Sequence, residues 1–253
     1  MLTDERHRII RLELASRGQV IANDLAVRFG ISEDTARRDL RELAKNGECR
    51  RVYGGAVATA PHLALSERVG LGRDKKSSLA RLAVTLLKPN QTLFVDGGST
   101  NMMIAKAIPQ DLPLTVITNA LGVASSLAEH PLIKLIVLGG NFDPKLGTCV
   151  GSEALRSISQ LHADLLFLGS CGVDFVQGVT AFDSAEAEVK RAMVNNSSSI
   201  TVAVTNDKLA TAAPFRVARS DAIHHLIVEQ TAPKDILSAF ESTGAVVHMA
   251  QCL

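Results

Sequence analysis

From residue 92 onward, short apolar runs alternate with segments of helical periodicity, and this alternation constrains the fold more than any other feature of the chain. It predicts helices at 74–87, 101–107 and 121–129, and strands at 92–95, 114–117, 132–138, 165–168, 199–204, 224–228 and 246–248. Short apolar strands separated by helices are typical of a largely parallel sheet covered on both faces. Residues 74–253 are therefore predicted to form a doubly wound α/β domain.

Residues 1–57 follow a different pattern, in which three short helices precede a strand that ends in glycines. The first helix is predicted at 4–16. The second has Asn23 as its N-cap and Gly30 just after its end, and the third runs from Ser32 to about Asn46. This spacing is typical of a helix-turn-helix, and the strand that follows is predicted to be its wing. Residues 58–73 show little periodicity and are predicted as a linker or ordered connector.

The third helix separates apolar from charged side chains. At about 100° per residue, Ala36, Leu40 and Leu43 share one stripe, and the basic residues take the other side. A solvated helix face is the alternative explanation of such a charge run. The paired arginines of the next strand favour DNA, because a wing beside the helix reaches phosphates or a minor groove. The predicted DNA-binding residues are Ser32, Asp34, Thr35, Arg37, Arg38, Arg41, Lys45, Arg50, Arg51, Tyr53, Gly54 and Gly55.

The local charge of this module is moderate. Between Arg37 and Gly55 there are six Lys or Arg residues and three Asp or Glu residues, a net charge of +3. Specific binding to double-stranded operator DNA is therefore expected to need two modules on paired half-sites, which predicts a homo-oligomer, a dimer or a tetramer.

Small polar residues follow four of the predicted strands, where an open α/β sheet binds its ligands. Each loop alone is what a tight turn requires. Four together predict a phosphate cradle, because hydroxyls and free backbone N–H groups precede helix N-termini. The predicted effector-binding residues are Asp96, Gly97, Gly98, Ser99, Thr100, Thr118, Asn119, Gly139, Gly140, Gly172, Glu186 and Lys208.

Three charged residues of that set have alternative interpretations. Asp96 either accepts hydrogen bonds from sugar hydroxyls or holds its loop through backbone amides. Glu186 is four residues before Lys190 on a predicted helix, where a solvated ion pair is the favoured account. Lys208 follows a strand end and is the better ligand candidate.

The segment ISEDTARRDLRELAKNGECRRVYGGA, residues 31 to 56, closely resembles the helix-turn-helix and wing of the DeoR family of bacterial sugar-metabolism regulators. Members usually carry Thr-Ile-Arg-Arg-Asp-Leu in the recognition helix, where this chain has residues 35–40 with Ala36 in place of isoleucine. They also carry an Arg-x-x-Gly-Gly-Ala segment, which matches residues 51–56.

The strand-end loops are similar to the DeoR-family effector domain, which itself resembles ribose-5-phosphate isomerase. Matching positions include residues 96–100, 118–119, 139–140 and 178–180, together with Gly151, Glu186, Lys190 and Lys208. The resemblance implies a repressor of a sugar or carbohydrate-metabolism operon, whose DNA affinity changes when a phosphorylated sugar binds. Two departures, Thr205 in place of an acidic residue and Ser99 in place of a threonine, bear on the choice of ligand.

Other function classes receive less support from the sequence. The four cysteines form no Cys-x-x-Cys pair, so no metal, disulfide or cofactor site is predicted. No apolar stretch approaches the roughly 20 residues of a membrane span, and a cytoplasmic protein is expected. An isomerase-like enzyme stays the alternative on fold grounds, although no catalytic residues are predicted. A DNA-binding structural protein without a ligand would leave the polar loops unexplained.

Overall fold

The computed structural model describes residues 2–17, 19–46, 48–52, 54–58 and 64–251. The chain divides into two compact units, Met1–Leu63 and Ala64–Leu253. A helix occupies Leu65–Gly70 and belongs to the second unit, so this part of the predicted connector is ordered. The predicted domain limits at residues 57 and 73 stay a prediction.

The first unit is a winged helix-turn-helix, as the sequence predicts. Its elements are α1 (Thr3–Arg17), β1 (Gln19–Ile21), α2 (Ala22–Phe29), α3 (Glu33–Lys45), β2 (Cys49–Val52) and β3 (Gly55–Ala58). The three strands form an antiparallel sheet in the order β1-β3-β2. Strand β1 was not predicted, because three residues are too few to show an alternating pattern.

The turn between α2 and α3 has the predicted chemistry at both ends. Gly30 ends α2 with φ 64°, a left-handed conformation that favours glycine, and the Ser32 hydroxyl caps α3 by accepting the Thr35 N–H at 3.2 Å. The prediction of Asn23 as N-cap is wrong. Helix α2 begins at Ala22, directly after β1, because the Ala22 N–H donates to the Gly54 carbonyl of the wing turn.

The second unit contains the predicted doubly wound α/β fold. Its helices are α4 (Leu65–Gly70), α5 (Arg73–Val84), α6 (Ser99–Ala107), α7 (Leu121–Leu127), α8 (Ser152–Ser159), α9 (Ser184–Asn195) and α10 (Lys234–Glu241). Its strands are β4 (Thr92–Val95), β5 (Leu114–Thr118), β6 (Ile133–Val137), β7 (Asn141–Asp143), β8 (Thr148–Val150), β9 (Leu165–Phe167), β10 (Gly172–Asp174), β11 (Gly178–Ala181), β12 (Ile200–Ala203), β13 (Phe215–Ala218), β14 (His225–Glu229) and β15 (Val246–Ala250).

All seven predicted strands belong to one parallel sheet, in the order β15-β14-β12-β9-β4-β5-β6. Alternate residues of its strands enter two separate apolar cores. Leu93 packs with residues of α5, α6 and α7, whereas Phe94 packs with residues of α8, α9 and α10. The chain builds the sheet outward in one direction from β4 and in the other from β9, so the order reverses between these two strands. Such a reversal is where doubly wound sheets bind ligands.

Two small antiparallel arrangements accompany the main sheet and were not predicted. Strands β7 and β8 form a hairpin, and β10, β11 and β13 form a three-stranded sheet. Each of these strands has only three or four residues, a length at which apolar periodicity does not distinguish a strand from a turn. The turn between β7 and β8 contains Leu146, which lines a cleft at the carboxyl ends of the central strands.

Candidate functional site

A cleft opens at the carboxyl ends of β4, β9 and β12, where the strand order reverses. The loop after β4 contributes residues 97–100, and the loop after β9 contributes residues 169–171. Charged side chains reach the cleft from four further positions, namely Arg68 on α4, Glu186 and Lys190 on α9, and Lys208 on a short 3-10 helix after β12. The structure therefore brings together the predicted residues of the first loop, Glu186 and Lys208.

A buried ion pair joins the two central loops beneath this cleft. Asp96 is 1% exposed, and its Oδ2 accepts the Gly169 N–H at 2.8 Å and a hydrogen bond from the Lys190 ammonium. Of the two alternatives for Asp96, the structure supports the one in which it holds the loops through a backbone amide. The Lys190 ammonium also donates to the Gly169 carbonyl at 3.1 Å.

The expectation of a solvated Glu186–Lys190 pair is wrong. Nζ of Lys190 does lie 3.2 Å from Glu186 Oε1, but the lysine side chain is only 2% exposed. Burial opposes its charge most strongly, yet the negative charges of Asp96 and Glu186 raise the pKa of Lys190 above its ordinary value. The helical spacing of the pair was visible in the sequence, whereas Asp96, which draws Lys190 inward, is 94 residues away.

Glycines allow the two loops to approach each other closely. A Cβ on Gly169 would lie 2.2 Å from the Gly97 carbonyl oxygen, and one on Gly97 would lie 2.2 Å from Thr148 Cγ2. Gly98, with φ 127°, leads directly into α6, whose first backbone N–H groups have no carbonyl partner within the helix. Asn101 holds this turn by donating to the carbonyls of Asp96 and Phe167. The loop is therefore a rigid backbone surface with amides at a helix N-terminus.

Two cations at the cleft have no carboxylate partner among the described residues. Lys208 Nζ donates to the Ser170 carbonyl at 2.8 Å. Burial lowers the pKa of Lys208, and the positive charge of Arg68 lowers it further. The Nε of Arg68 is buried without a hydrogen-bond partner in the part of the chain that the structure describes. Sequence reasoning missed Arg68, since it lies in the segment predicted as a connector.

An acceptor and a neutral thiol complete the cleft. Glu186 Oε2 is buried and has no hydrogen-bond partner among the described residues, although Oε1 is paired with Lys190. Burial raises the pKa of the Cys171 thiol, so this side chain lines the cleft as an uncharged group. The cleft thus presents an unused N–H donor from a cation and an unused carboxylate oxygen.

Five predicted effector-binding residues lie away from the cleft lining. Thr118 donates its hydroxyl to the Val95 carbonyl, and Asn119 donates its amide to the Cys149 carbonyl. Gly139 and Gly140 follow β6 at the edge of the sheet, and Gly172 begins β10. Thr118, Asn119, Gly139 and Gly140 lie at or after the ends of β5 and β6, which do not flank the reversal point, and a tight turn accounts for such residues there. Close packing accounts for Gly172, where a Cβ would lie 2.5 Å from the Thr211 carbonyl oxygen. The role of these five residues in effector binding stays a prediction.

The predicted DNA-binding face is exposed on α3. Its apolar stripe is buried as expected, and Asp34, Arg38, Arg41 and Lys45 are exposed. The Arg37 guanidinium pairs with Glu33 at 2.7 Å, while no described carboxylate is ion-paired with Arg38 or Arg41.

The recognition helix α3 and the wing formed by β2 and β3 border a common groove. It is lined by Glu33 and Arg37 of α3, Arg51 of β2, and the turn glycines Gly54 and Gly55. Gly54 adopts φ 82°, which a glycine tolerates without strain. Tyr53 lies outside the described residues, as does the side chain of Arg50, so their predicted contacts stay predictions.

A buried carboxylate supports the recognition helix from inside the first unit. Asp39 is 3% exposed and accepts two hydrogen bonds from Arg6, at 2.7 and 3.0 Å, while His7 Nε2 lies 3.4 Å away. Sequence reasoning treated Asp39 only as part of the local charge count. Its place beside the apolar stripe of α3 was the signal that it faces the interior.

Other kinds of site are not found in the part of the chain that the structure describes. No group of three His, Cys, Asp or Glu side chains there is placed to hold a metal ion. Cys49, Cys149 and Cys171 are free thiols. None of the described helices is long and apolar enough to cross a membrane.

Comparisons with known proteins match both units of the chain. Residues 6–61 match the DeoR-like helix-turn-helix domain, and residues 72–230 match the DeoR C terminal sensor domain. A relative from Escherichia coli O157:H7, named as an aga operon transcriptional repressor, is 30% identical over 250 residues, which cover 97% of this chain and 93% of the relative. The glycerol-3-phosphate regulon repressor of Escherichia coli (strain K12) is 28% identical over 239 residues, covering 94% and 95%.

Among solved structures, the chain is similar to ribose 5-phosphate isomerase A from Methanocaldococcus jannaschii, with 17% identity, 54% coverage of each chain and a TM-score of 0.41. The family assignment rests on the two domain matches, of which the sensor match alone spans more than half of the chain. The chain belongs to the DeoR family of DNA-binding transcriptional regulators.

Proposed function

We propose that this regulator represses a carbohydrate-metabolism operon and that a phosphorylated sugar, bound in the cleft between the β4 and β9 loops, controls its affinity for operator DNA. The observation that carries the proposal is the pair of unused groups in that cleft, the Arg68 Nε and Glu186 Oε2. Buried polar atoms are rarely left without a partner, so the presence of two of them in one cleft supports a ligand there. Relatives named as repressors of the aga operon and the glycerol-3-phosphate regulon support the role of a repressor of carbohydrate metabolism.

The phosphate fits the side of the cleft formed by residues 97–100 and Lys208. The first backbone amides of α6 are available to donate hydrogen bonds to an anion, and the helix dipole favours negative charge there. Lys208 is held beside them by the Ser170 carbonyl and forms no ion pair with a described carboxylate. A phosphate dianion would supply the missing charge and accept several hydrogen bonds at once.

The sugar fits the side of the cleft that Glu186 borders. Its unused Oε2 can accept a hydrogen bond from a hydroxyl, whereas a second phosphate oxygen there would be repelled. A ligand with an anionic end and a hydroxylated end therefore satisfies both unused groups. An unphosphorylated sugar could hydrogen-bond both groups, but it would leave the positive charges of Arg68 and Lys208 without a counter-charge.

We further propose that the cleft binds its ligand without catalysing a reaction of it. The two carboxylates nearest the site, Asp96 and Glu186, are both ion-paired with Lys190 and help to hold the loops together. Incubation with ribose 5-phosphate is expected to leave the sugar unchanged. Isomerisation at an enzymatic rate would instead favour the isomerase-like alternative.

For the DNA-binding half, we propose that a homo-oligomer places two recognition helices on paired operator half-sites. The exposed Arg38 and Arg41 offer base and phosphate contacts, and Arg51 borders the same groove as α3. Light scattering of the purified chain would give its mass. A monomer that binds the operator with full affinity would contradict this part of the proposal.

The effector proposal is tested by gel retardation of the upstream DNA of the gene, with three- to six-carbon sugar phosphates and the matching free sugars. We expect one or more phosphates, and none of the free sugars, to change DNA binding. Lys208→Met should weaken that response about tenfold or more, because a charge-assisted hydrogen bond is lost. Lys88→Met, which removes an exposed lysine outside the cleft, is the matched control. A response unchanged in Lys208→Met would contradict the proposed phosphate position.

A further inference from the structure

Tertiary contacts at both ends anchor helix α4 to the rest of the second unit, Ala64–Leu253, which we call the sensor unit. The Leu65 N–H donates to the Lys145 carbonyl at 3.0 Å, and the Leu65 side chain packs so tightly that a Cβ on Gly147 would lie 2.2 Å from it. At the other end, Lys76 Nζ donates to the carbonyls of Arg68 and Leu71, each at 2.6 Å. The helix has only six residues, so these tertiary contacts decide its position.

Arg68 projects from this helix into the effector cleft. It is a lining residue together with the loops at 97–100 and 169–171, and its Nε is buried with no hydrogen-bond partner among the described residues. A buried guanidinium N–H without a partner is costly, since it has lost its water and gained nothing in exchange. The arrangement is therefore poised for an acceptor that comes from outside the chain.

The surroundings of Arg68 carry excess positive charge. Burial lowers the pKa of Lys76 to about 8, and the charges of Lys208 and Arg68 contribute to that shift, which Asp207 partly offsets. Arg68 and Lys208 repel each other in the same way. No described carboxylate is ion-paired with Arg68, Lys76 or Lys208, in contrast to Lys190 nearby. An anion bound among these cations would relieve their mutual repulsion.

We infer that Arg68 is a direct ligand of the effector phosphate and that, by binding it, the phosphate fixes helix α4 against the sensor unit. The inference rests on the proposed function, because it uses the same phosphate position. Arg68 offers several N–H donors in one plane, which suits two oxygens of one phosphate. Helix α4 begins at Leu65 and belongs to the sensor unit, so fixing it fixes some of the first described residues that follow the DNA-binding unit. Arg68 thus links occupation of the cleft to the position of α4.

The test uses the full chain with inorganic phosphate as the probe, in titration calorimetry and in hydrogen exchange followed by mass spectrometry. Arg68→Met removes the guanidinium, and Arg68→Lys keeps the charge but loses the planar set of donors. Arg73→Met, which removes an exposed arginine at the start of α5, is the matched control. Thermal melting without phosphate shows that each variant is folded.

In the unmodified chain and in Arg73→Met, phosphate should slow amide exchange in residues 65–71. Arg68→Met should bind phosphate about tenfold more weakly and lose that protection even at saturation, with Arg68→Lys between the two. Phosphate affinity unchanged in Arg68→Met, or no protection of 65–71 in the unmodified chain, would overturn the inference.

A second comparison separates this inference from the proposed function. If Lys208→Met weakens phosphate binding and Arg68→Met does not, the proposed phosphate site stands and the role of Arg68 is wrong. If the unmodified chain binds neither inorganic phosphate nor any sugar phosphate of the panel, both fail together.

Discussion

Lysine and arginine side chains occur both on α3, where they are exposed, and in the cleft, where they are buried or half-buried. Arg38 and Arg41 are exposed on a helix face, where a charge stays hydrated and costs little. Lys190 is 2% exposed and is held by two carboxylates, and Lys208 is held by a carbonyl. The exposed set is therefore available for binding alone, whereas each of these cleft cations is also held by contacts within the structure.

The largest expected effect is on the buried ion pair of the sensor unit. Lys190→Met leaves Asp96 buried without a counter-charge, which should lower the free energy of unfolding by about 3–5 kcal/mol. Urea unfolding followed by circular dichroism measures this, with Lys88→Met as the exposed control. A loss below about 1 kcal/mol would mean that the Asp96–Lys190 pair contributes no more to stability than an exposed salt bridge.

A smaller loss is expected in the first unit, where Asp39 is the buried charge. Asp39→Asn keeps the shape but removes the negative charge that Arg6 contacts twice, so the unit should lose about 1.5–3 kcal/mol. Proteolysis within residues 1–63, followed by mass spectrometry, detects unfolding of this unit separately. Unaltered resistance to proteolysis would show that the buried contact contributes little to stability.

The exposed arginines should affect DNA binding without affecting folding. Arg38→Ala and Arg41→Ala are each expected to weaken operator binding by about 1–3 kcal/mol and to change stability by less than about 0.5 kcal/mol. Fluorescence anisotropy with labelled operator measures the first effect and thermal melting the second. Arg156→Ala, an exposed arginine of the sensor unit, controls for net charge. If Arg156→Ala weakened binding equally, the α3 face would have no special role.

The smallest effect concerns a half-buried histidine pair between the edge strand β15 and its neighbour β14. His225 Nδ1 lies 3.1 Å from His248 Nε2, and burial, followed by the charges of His248 and His224, lowers the pKa of His225 below 6.5. Below pH 6.5 the unfolded chain binds a proton that the folded chain resists, so stability should fall as the pH falls through that lowered pKa and be fully present above 6.5.

Solvent screening limits this loss to about 0.5 kcal/mol. The difference in melting temperature between neutral and mildly acidic buffer should shrink in His225→Gln. An equal acid sensitivity in that variant would assign the effect to other groups.

Local chemistry explains why much of the fold was predictable. The Gly30 turn, the Ser32 cap and the buried stripe of Ala36, Leu40 and Leu43 depend on residues a few positions apart. The seven parallel strands were predicted because each is an apolar run between helices. In the site, the loop at 97–100 was found because a glycine-rich turn opens directly onto a helix.

Other parts of the site depend on distant residues and could not be predicted in this way. Arg68 looked like part of a connector, and Lys190 looked like half of a surface pair. Both interpretations changed because the fold places Arg68 at a cleft formed by loops more than 25 residues away in sequence, and Lys190 against Asp96. Thr118 and Asn119 donate side-chain hydrogen bonds to the backbone, and their role in effector binding stays a prediction.

The sequence by itself determined the two kinds of unit, the recognition helix with its exposed arginines, and the glycine-containing loop after the first strand of the sensor sheet. These features follow from short-range periodicity and turn chemistry, which each segment carries on its own. Only the tertiary structure decided which loops flank the reversal between β4 and β9, which charges neutralise one another, and which are left without a partner. Burial and charge pairing depend on residues brought together from distant parts of the chain, and that is why the cleft, unlike the recognition helix, emerged only from the fold.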